Sequence, residues 1–219
     1  MNKKRLVAGL LTSATVVGLF AAGGTAFAAE VDTHDTTLGI GFSDHSTPPG
    51  TGDLTMKWAP IKFNFGTSNQ VNTVANAFSE ESGVKKYVVV SDARAESGAD
   101  KWDLTAKISN IASGPTQLVG ATLSFDTAKQ AYQGVDAPEA PGSIIAPTLA
   151  HTAVVSANQT LAQGATATVV MSDDGSSTSS YKGMTALEMD NIELNVPANA
   201  AEAGKQYTGT LTWSLDDTI

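Results

Sequence analysis

The sequence predicts an all-β protein, an antiparallel β-sandwich (Ig-like or related) of about ten short strands. Residues 101–108 and 205–215 alternate between apolar and polar side chains, with the two-residue period of a half-buried strand. Turn-forming residues recur about every ten positions between further β-prone runs. No repeat of fixed period occurs, which argues against a solenoid.

The two alternating segments each place Trp and Leu two positions apart, so that both side chains project to one face. In the first segment this face carries Trp102, Leu104, Ala106 and Ile108. In the second it carries Tyr207, Gly209, Leu211, Trp213 and Leu215. Because Trp on an alternating strand usually packs in a core, we expect both strands to be core strands of one domain.

Residues 1–28 have the composition of a cleaved signal peptide. Three basic residues at positions 3–5 precede an apolar run over residues 6–20, and Ala26-Phe27-Ala28 forms a small-x-small cleavage site. The apolar run is short for a permanent membrane span. We therefore expect export, cleavage after Ala28, and no membrane span in the mature chain.

The expected mature chain is strongly acidic. Cleavage leaves ten Lys and Arg against 22 Asp and Glu, a net charge of −12. This argues against nucleic-acid binding, which needs basic residues to neutralise phosphates, and against electrostatic adsorption to anionic membranes or polymers. The chain has no cysteine, so its stability must come from its core without disulfides.

The segment 29–52 is predicted to hold a short N-terminal strand, at 37–42, followed by a Pro- and Gly-rich linker. The β domain is then expected to span residues 53–219. Within it, alternation and β-prone composition predict strands at 54–58, 61–66, 87–90, 118–125, 150–156, 165–171, 181–187 and 189–196. A short helix is predicted around 74–81.

Several segments of the sequence together resemble those of a known family. Trp102-Asp103-Leu104 and Trp213-Ser214-Leu215 are two Trp-x-Leu motifs in order, the second near the C-terminus. Phe63-Asn64-Phe65-Gly66 and the flanks of both motifs also match. The sequence is similar to the WxL-domain proteins, cell-wall-associated surface proteins of low-GC Gram-positive bacteria, from about residue 37 to the end.

The resemblance implies a secreted protein, attached non-covalently to peptidoglycan at the cell surface. It also implies a WxL-binding partner protein and other WxL proteins in a multi-protein surface complex. The sequence shows no LPxTG-like motif with an apolar tail, which supports non-covalent attachment. The resemblance assigns structural roles, wall-binding roles or both to Trp102, Leu104, Trp213 and Leu215.

Two other functions stay open at this stage, a pilus- or adhesin-like β-module and a secreted glycan-active enzyme. The enzyme has little support, because His34, His45 and His151 are scattered and no Gly-x-Ser-x-Gly motif or singled-out carboxylate pair occurs. No cofactor or metal site is expected. Asp173-Asp174-Gly175 lacks the spaced ligands of an EF-hand loop, and an Asx-type turn is favoured there.

An acidic protein on an acidic wall must rely on short-range contacts. Hydrogen bonds to sugar and peptide amides, aromatic faces against sugar rings, or a protein partner would serve. Trp58, Tyr132 and Tyr181 are the exposed aromatic candidates for such contacts. Partial burial in the core is the competing interpretation for each of them.

Overall fold

The computed structural model describes residues 29–37, 45–48, 50, 52–95, 100–134, 136–174 and 179–218. This part of the chain is all-β and contains no helix. Its strands are β1 (Ala29–Thr37), β2 (His45–Ser46), β3 (Leu54–Pro60), β4 (Asn76–Ser79), β5 (Lys86–Asp92), β6 (Lys101–Ile108), β7 (Ala112–Ser113), β8 (Thr116–Gln117), β9 (Thr122–Tyr132), β10 (Ile144–Ile145), β11 (Val154–Val155), β12 (Gln159–Ala162), β13 (Thr168–Asp173), β14 (Gly183–Val196) and β15 (Thr210–Thr218).

Two large antiparallel sheets build the fold. The first has the strand order β1-β15-β6-β13-β11, and the second has the order β10-β9-β14-β5-β3-β2, with β12 added to β9 and β4 added to β14. β7 and β8 form a small hairpin. One continuous hydrophobic core contains residues of both sheets. The predicted antiparallel β-sandwich is therefore confirmed, with the sheets curled toward a half-barrel. Among the described residues, no helix offers a long apolar stretch that could cross a membrane.

The two Trp-x-Leu strands, β6 and β15, are neighbours in the first sheet. Leu104 lies directly opposite Leu215, and Trp213 lies opposite Ala106. Trp102 is 2% exposed and Trp213 is fully buried. The expected core position of both tryptophans in one domain is confirmed. Cross-strand pairs of this kind stabilise a sheet, so the two motifs support each other although they are far apart in sequence.

β1 pairs with β15 over its length and covers that edge of the first sheet. The buried carboxylate of Asp32 accepts a hydrogen bond from the Met56 N–H of β3, at 2.8 Å, and so links β1 to the second sheet. Gly50 packs so closely against this carboxylate that a Cβ at residue 50 would overlap Asp32 Oδ2. The strand predicted at 37–42 falls mostly outside the described residues, and the boundary predicted at residue 53 stays a prediction.

Two predictions at the start of the domain are wrong. Residues 61–66, expected as a strand, form no ladder and run as an irregular extended segment after β3. The helix predicted around 74–81 is absent, and β4 pairs there with β14. A helix of about two turns is marginal without tertiary support, whereas the edge of β14 supplies backbone partners for a strand.

Further differences concern strand limits. The strand predicted at 150–156 is only Val154–Val155, the strand predicted at 165–171 is Thr168–Asp173, and the strand predicted at 205–215 begins at Thr210. The strand predicted at 118–125 begins at Thr122, because Leu118 O accepts the Ala121 N–H in a turn where Gly120 has φ 79°. The strands predicted at 181–187 and 189–196 are one strand, β14, with a register shift between Asp190 and Glu193. Asn191, with φ 48°, lies in this irregularity, whereas the predicted break between the two strands falls earlier, at residue 188.

Candidate functional site

A groove of about 600 Å³ opens at one end of the sandwich. β14 ends there, β15 begins there, and the chain leaves β6 toward Ile111 there. One wall is the irregular segment 63–71, and the other is the loop 201–208 that leads into β15. The floor is apolar and consists of Phe78, Ile111, Leu118, Leu194 and Val196. We call this end of the sandwich the groove end.

The wall 63–71 is held in place by hydrogen bonds and one buried ring. Phe63 is buried in the core. Asn64 O accepts the Glu81 N–H at 2.7 Å, and Asn64 Nδ2 donates to Glu81 Oε2 at 2.8 Å. Gly66 has φ 88°, a left-handed conformation that glycine adopts without strain, and its N–H donates to Asn64 Oδ1. The wall is thus fixed although it belongs to no strand.

Contacts within the loop, and hydrogen bonds to β7 and β8, hold the wall 201–208 in place. The Glu202 N–H donates to the Tyr207 hydroxyl at 3.0 Å, and Glu202 Oε2 lies 2.9 Å from Lys205 Nζ. Lys205 Nζ also donates to the Thr116 hydroxyl. Thr208 and Ala112 exchange two backbone hydrogen bonds of 2.8 and 2.9 Å. These contacts hold the Tyr207 ring at the start of β15.

The lining of the groove is amphipathic and carries little net charge. Phe65, Phe78 and Tyr207 are half-buried rings that pack against the core and border the groove. Its polar groups are mainly the amides of Asn64, Asn69, Gln70 and Gln206. Its two charged residues, Glu202 and Lys205, neutralise each other. Such a lining can stack against apolar ring faces and exchange hydrogen bonds with neutral polar groups.

Exposed valines occur in and beside the segments that form the groove. Val71 lies in its first wall, and Val74, 69% exposed, follows in the chain before β4. Val119, 68% exposed, is adjacent to Leu118 of the floor. Single exposed apolar residues are ordinary, but several along the same segments mark a surface suited to contact with another molecule.

The opposite end of the sandwich is closed by charged side chains, and we call it the ionic end. Arg94 contacts both carboxylate oxygens of Asp92, with Nε 3.0 Å from Oδ1 and Nη2 2.9 Å from Oδ2, and also binds Asp217 of β15 at 2.5 Å. Lys182 bridges Asp92 at 3.2 Å and Asp100 at 2.8 Å. The network joins the end of β5, the start of β14 and the end of β15.

Burial alone would raise the pKa of the Asp92 carboxyl. Hydrogen bonds from Arg94 and from the Ser180 hydroxyl outweigh that burial and hold the pKa of Asp92 below its usual range. The same two carboxylates that Arg94 contacts, Asp92 and Asp217, raise the pKa of its guanidinium against the opposing effect of burial. Asp92 and Arg94 therefore form an ion pair that joins the end of β5 to Asp217 of β15.

The four predicted motif residues lie in the core and do not line the groove. Trp102, Leu104, Trp213 and Leu215 are all buried, and the groove begins beyond the start of β15. The indole N–H of Trp102 is buried without a hydrogen-bond partner. Sequence reasoning missed Phe65, Phe78 and Tyr207 as rings that border a groove, because it assigned Phe65 and Tyr207 to strands and Phe78 to a helix. The Gly66 turn and the Pro197–Gly204 loop composition were the available signals of irregular backbone.

The three aromatic residues predicted as exposed lie away from the groove. The Trp58 indole N–H donates to the Tyr132 hydroxyl at 3.0 Å, and Tyr132, 3% exposed, donates to Asp136 O at 2.5 Å. Both belong to a second apolar cluster around Val89. The Tyr181 ring stacks against His151, with 4.1 Å between centroids. The competing interpretation, burial, is confirmed for Tyr132 and partly for Trp58 and Tyr181.

The histidines and the Asp173 carboxylate do not form a common site. The Tyr87 N–H donates to His45 Nε2 at 2.9 Å, whereas His151 Nδ1 accepts the Thr148 N–H at 3.2 Å. Both Asp173 oxygens accept from the Thr152 hydroxyl, and Oδ2 also accepts the Tyr181 N–H. The described residues contain no group of three or more His, Cys, Asp or Glu that could hold a metal ion. Gly175, which belongs to the predicted Asx-type turn, lies outside them.

Comparison with known families gives one match. The model of the WxL domain, described as surface cell wall-binding, matches residues 35–218. This range contains both Trp-x-Leu motifs, both walls of the groove and the ionic end. No curated protein and no solved structure matches the chain.

Proposed function

The chain belongs to the WxL family of surface cell wall-binding domains, and from this premise we propose that it binds peptidoglycan directly and non-covalently through the groove. The observation that supports the groove is its lining, three half-buried aromatic rings beside amide side chains in a space of about 600 Å³. Binding sites for molecules of disaccharide size have volumes of this order. Family membership gives the protein its location at the cell surface.

In this proposal the Trp-x-Leu motifs act by positioning the groove. Trp213 and Leu215 hold β15 in the core beside Trp102 and Leu104 of β6. The wall 201–208 continues directly into β15, and Ile111 of the floor follows β6. Because the motif side chains are buried, we expect their substitution to reduce wall binding through loss of the fold rather than loss of contacts.

The proposed contact is short-range and non-catalytic. A mature chain of charge −12 gains no long-range attraction from an acidic wall. The groove offers rings and amides, which act only in contact. Its single carboxylate, Glu202, is paired with Lys205, so the lining lacks the carboxylate pair that a glycosidase requires.

Assembly with other surface proteins is a further part of the proposal. The exposed valines Val71, Val74 and Val119 support it, because they offer apolar area at the groove end. A WxL-binding partner or another WxL protein would cover this area while the groove holds the wall.

The direct test is sedimentation of the mature chain with purified peptidoglycan stripped of teichoic acid. We expect the wild-type chain to be retained, and Tyr207→Ala and Phe65→Ala to lose most of the retention. Tyr181→Ala, which removes a half-buried ring at the ionic end, is the matched control and should be retained. Thermal melts of all four proteins exclude unfolding as the cause.

Two results would contradict parts of the proposal. Retention of both groove variants at the wild-type level would move the site elsewhere on the surface. Failure of the wild-type chain to sediment would exclude direct peptidoglycan binding and favour attachment through a partner protein.

A further inference from the structure

Peptidoglycan has two chemical components, a glycan backbone and stem peptides, which differ in charge. The charge of the groove favours one of them. Its lining includes one acid and one base, Glu202 and Lys205, and they form an ion pair with 2.9 Å between Oε2 and Nζ. Lys205 is further engaged by the Thr116 hydroxyl. A charged ligand entering this groove would therefore lose hydration without meeting an uncompensated opposite charge, which is unfavourable.

The stem peptides of peptidoglycan carry free carboxylates and amines, whereas the glycan backbone is built from N-acetylated sugars. An N-acetylhexosamine presents apolar ring faces, hydroxyl groups and a neutral acetamido group. The groove offers the complementary set, with the Phe65, Phe78 and Tyr207 rings beside the exposed amides of Gln70 and Gln206. The groove and an N-acetylhexosamine therefore match in polarity and in their lack of net charge.

We propose that the groove binds the N-acetylhexosamine backbone of peptidoglycan and not its stem peptides. This inference rests on the proposed function, because it assigns a ligand class to the same groove. Tyr207 takes a central part. Its hydroxyl oxygen accepts the Glu202 N–H, which leaves its O–H proton to donate to a sugar oxygen or acetamido carbonyl while its ring contacts the sugar face.

Competition experiments test the ligand class. The wild-type chain is bound to teichoic-acid-free peptidoglycan and challenged with chitopentaose, an uncharged oligomer of N-acetylglucosamine. Parallel samples receive the de-N-acetylated oligomer, which is cationic, or stem peptides released by amidase. We expect chitopentaose to displace the chain, and the other two competitors to be at least about tenfold weaker.

Three groove variants sharpen the test. Tyr207→Ala should weaken chitopentaose binding by about tenfold, and Tyr207→Phe, which keeps the ring, by less. Glu202→Gln leaves Lys205 without its carboxylate, so this variant should become sensitive to competition by carboxylated stem peptides.

The outcomes separate this inference from the function on which it rests. Displacement by stem peptides and not by chitopentaose, with the groove variants still impaired, overturns the glycan assignment and leaves the groove as the wall site. Insensitivity of Glu202→Gln to stem peptides overturns the argument from charge. A wild-type chain that does not bind peptidoglycan fails the proposed function itself.

Discussion

The two ends of the sandwich are built on the same strands but have opposite chemistry. β6 and β14 run from the ionic end to the groove end, and β15 runs in the reverse direction. At the ionic end Arg94 and Lys182 gather three carboxylates, and the strand ends are tied together. At the groove end the two charged residues that line the groove, Glu202 and Lys205, form an ion pair, and the rest of the lining is apolar or neutral.

The difference shows how a chain without disulfides combines rigidity with a binding surface. Ion pairs between partly buried groups restrain strand ends, because each group needs its partner to offset the loss of hydration. A groove that binds a neutral ligand instead needs a surface without unpaired charges. If this division holds, loss of a shared strand should destroy both ends, and a change at one end should leave the other intact.

The largest effect is expected from deletion of residues 205–219. The deletion removes β15, which lies between β1 and β6 in the first sheet, together with Asp217 of the ionic end and Tyr207 of the groove end. The remaining strands lose their ladder partners, so the domain should unfold. Circular dichroism measures this directly. A native-like spectrum for the truncated chain would show that β15 is dispensable.

Removal of either motif tryptophan should come next in size. Trp102→Ala and Trp213→Ala each leave a large cavity in the core, and such changes cost about 3–5 kcal/mol of unfolding free energy. Total stabilities are about 5–15 kcal/mol, so both melting temperatures should fall well below that of the wild type. Variants that melt normally yet lose wall binding would instead make the tryptophans ligand contacts.

A change confined to the ionic end should separate the two ends. Arg94→Met removes the cation that faces Asp92 and Asp217 and leaves the buried Asp92 with Lys182 as its remaining cation. Breaking a buried ion pair on one side costs up to about 3–5 kcal/mol, and the second partner reduces that cost here. Denaturant unfolding measures the loss. Peptidoglycan binding at temperatures where the variant is folded should equal that of the wild type.

Acid should act on the ionic end in a defined direction. The pKa of Asp92 is lower in the folded chain than in the unfolded chain, so its contribution is present above the unfolded value and is lost as the pH falls through the folded value. The wild type should therefore lose stability below about pH 4, the ordinary aspartate pKa. Asp92→Asn should show a shallower loss in thermal melts over the same range. Parallel pH profiles for the two proteins would exclude Asp92 as the cause.

Sequence reasoning succeeded for the core strands that the two ends share and failed at both ends. β6 and β15 were predictable, because their alternation is unbroken and each carries a Trp and a Leu on one face. The groove was not predictable, because its two walls, 63–71 and 201–208, are distant in sequence and neither forms a regular β-ladder. β4 was mistaken for a helix because its pairing depends on β14, a tertiary partner that local composition does not reveal. The ionic network combines residues from loops and from strand ends, and these segments carry no periodic pattern of apolar residues.

The smallest effect is expected from salt, and its sign tests the neutral groove. Surface charges are screened over about 10 Å at about 0.1 M salt, whereas stacking and neutral hydrogen bonds are insensitive to screening. Because the chain and the wall are both acidic, added salt reduces their repulsion and should leave retention on peptidoglycan unchanged or slightly stronger. Mild acidification should strengthen it as well, since carboxylates on both sides become protonated. Sedimentation across roughly 0.05 to 0.5 M salt measures the effect. Elution of the chain by about 0.5 M salt would mean that basic residues bind the wall, and the groove, with its single paired lysine, would no longer explain attachment.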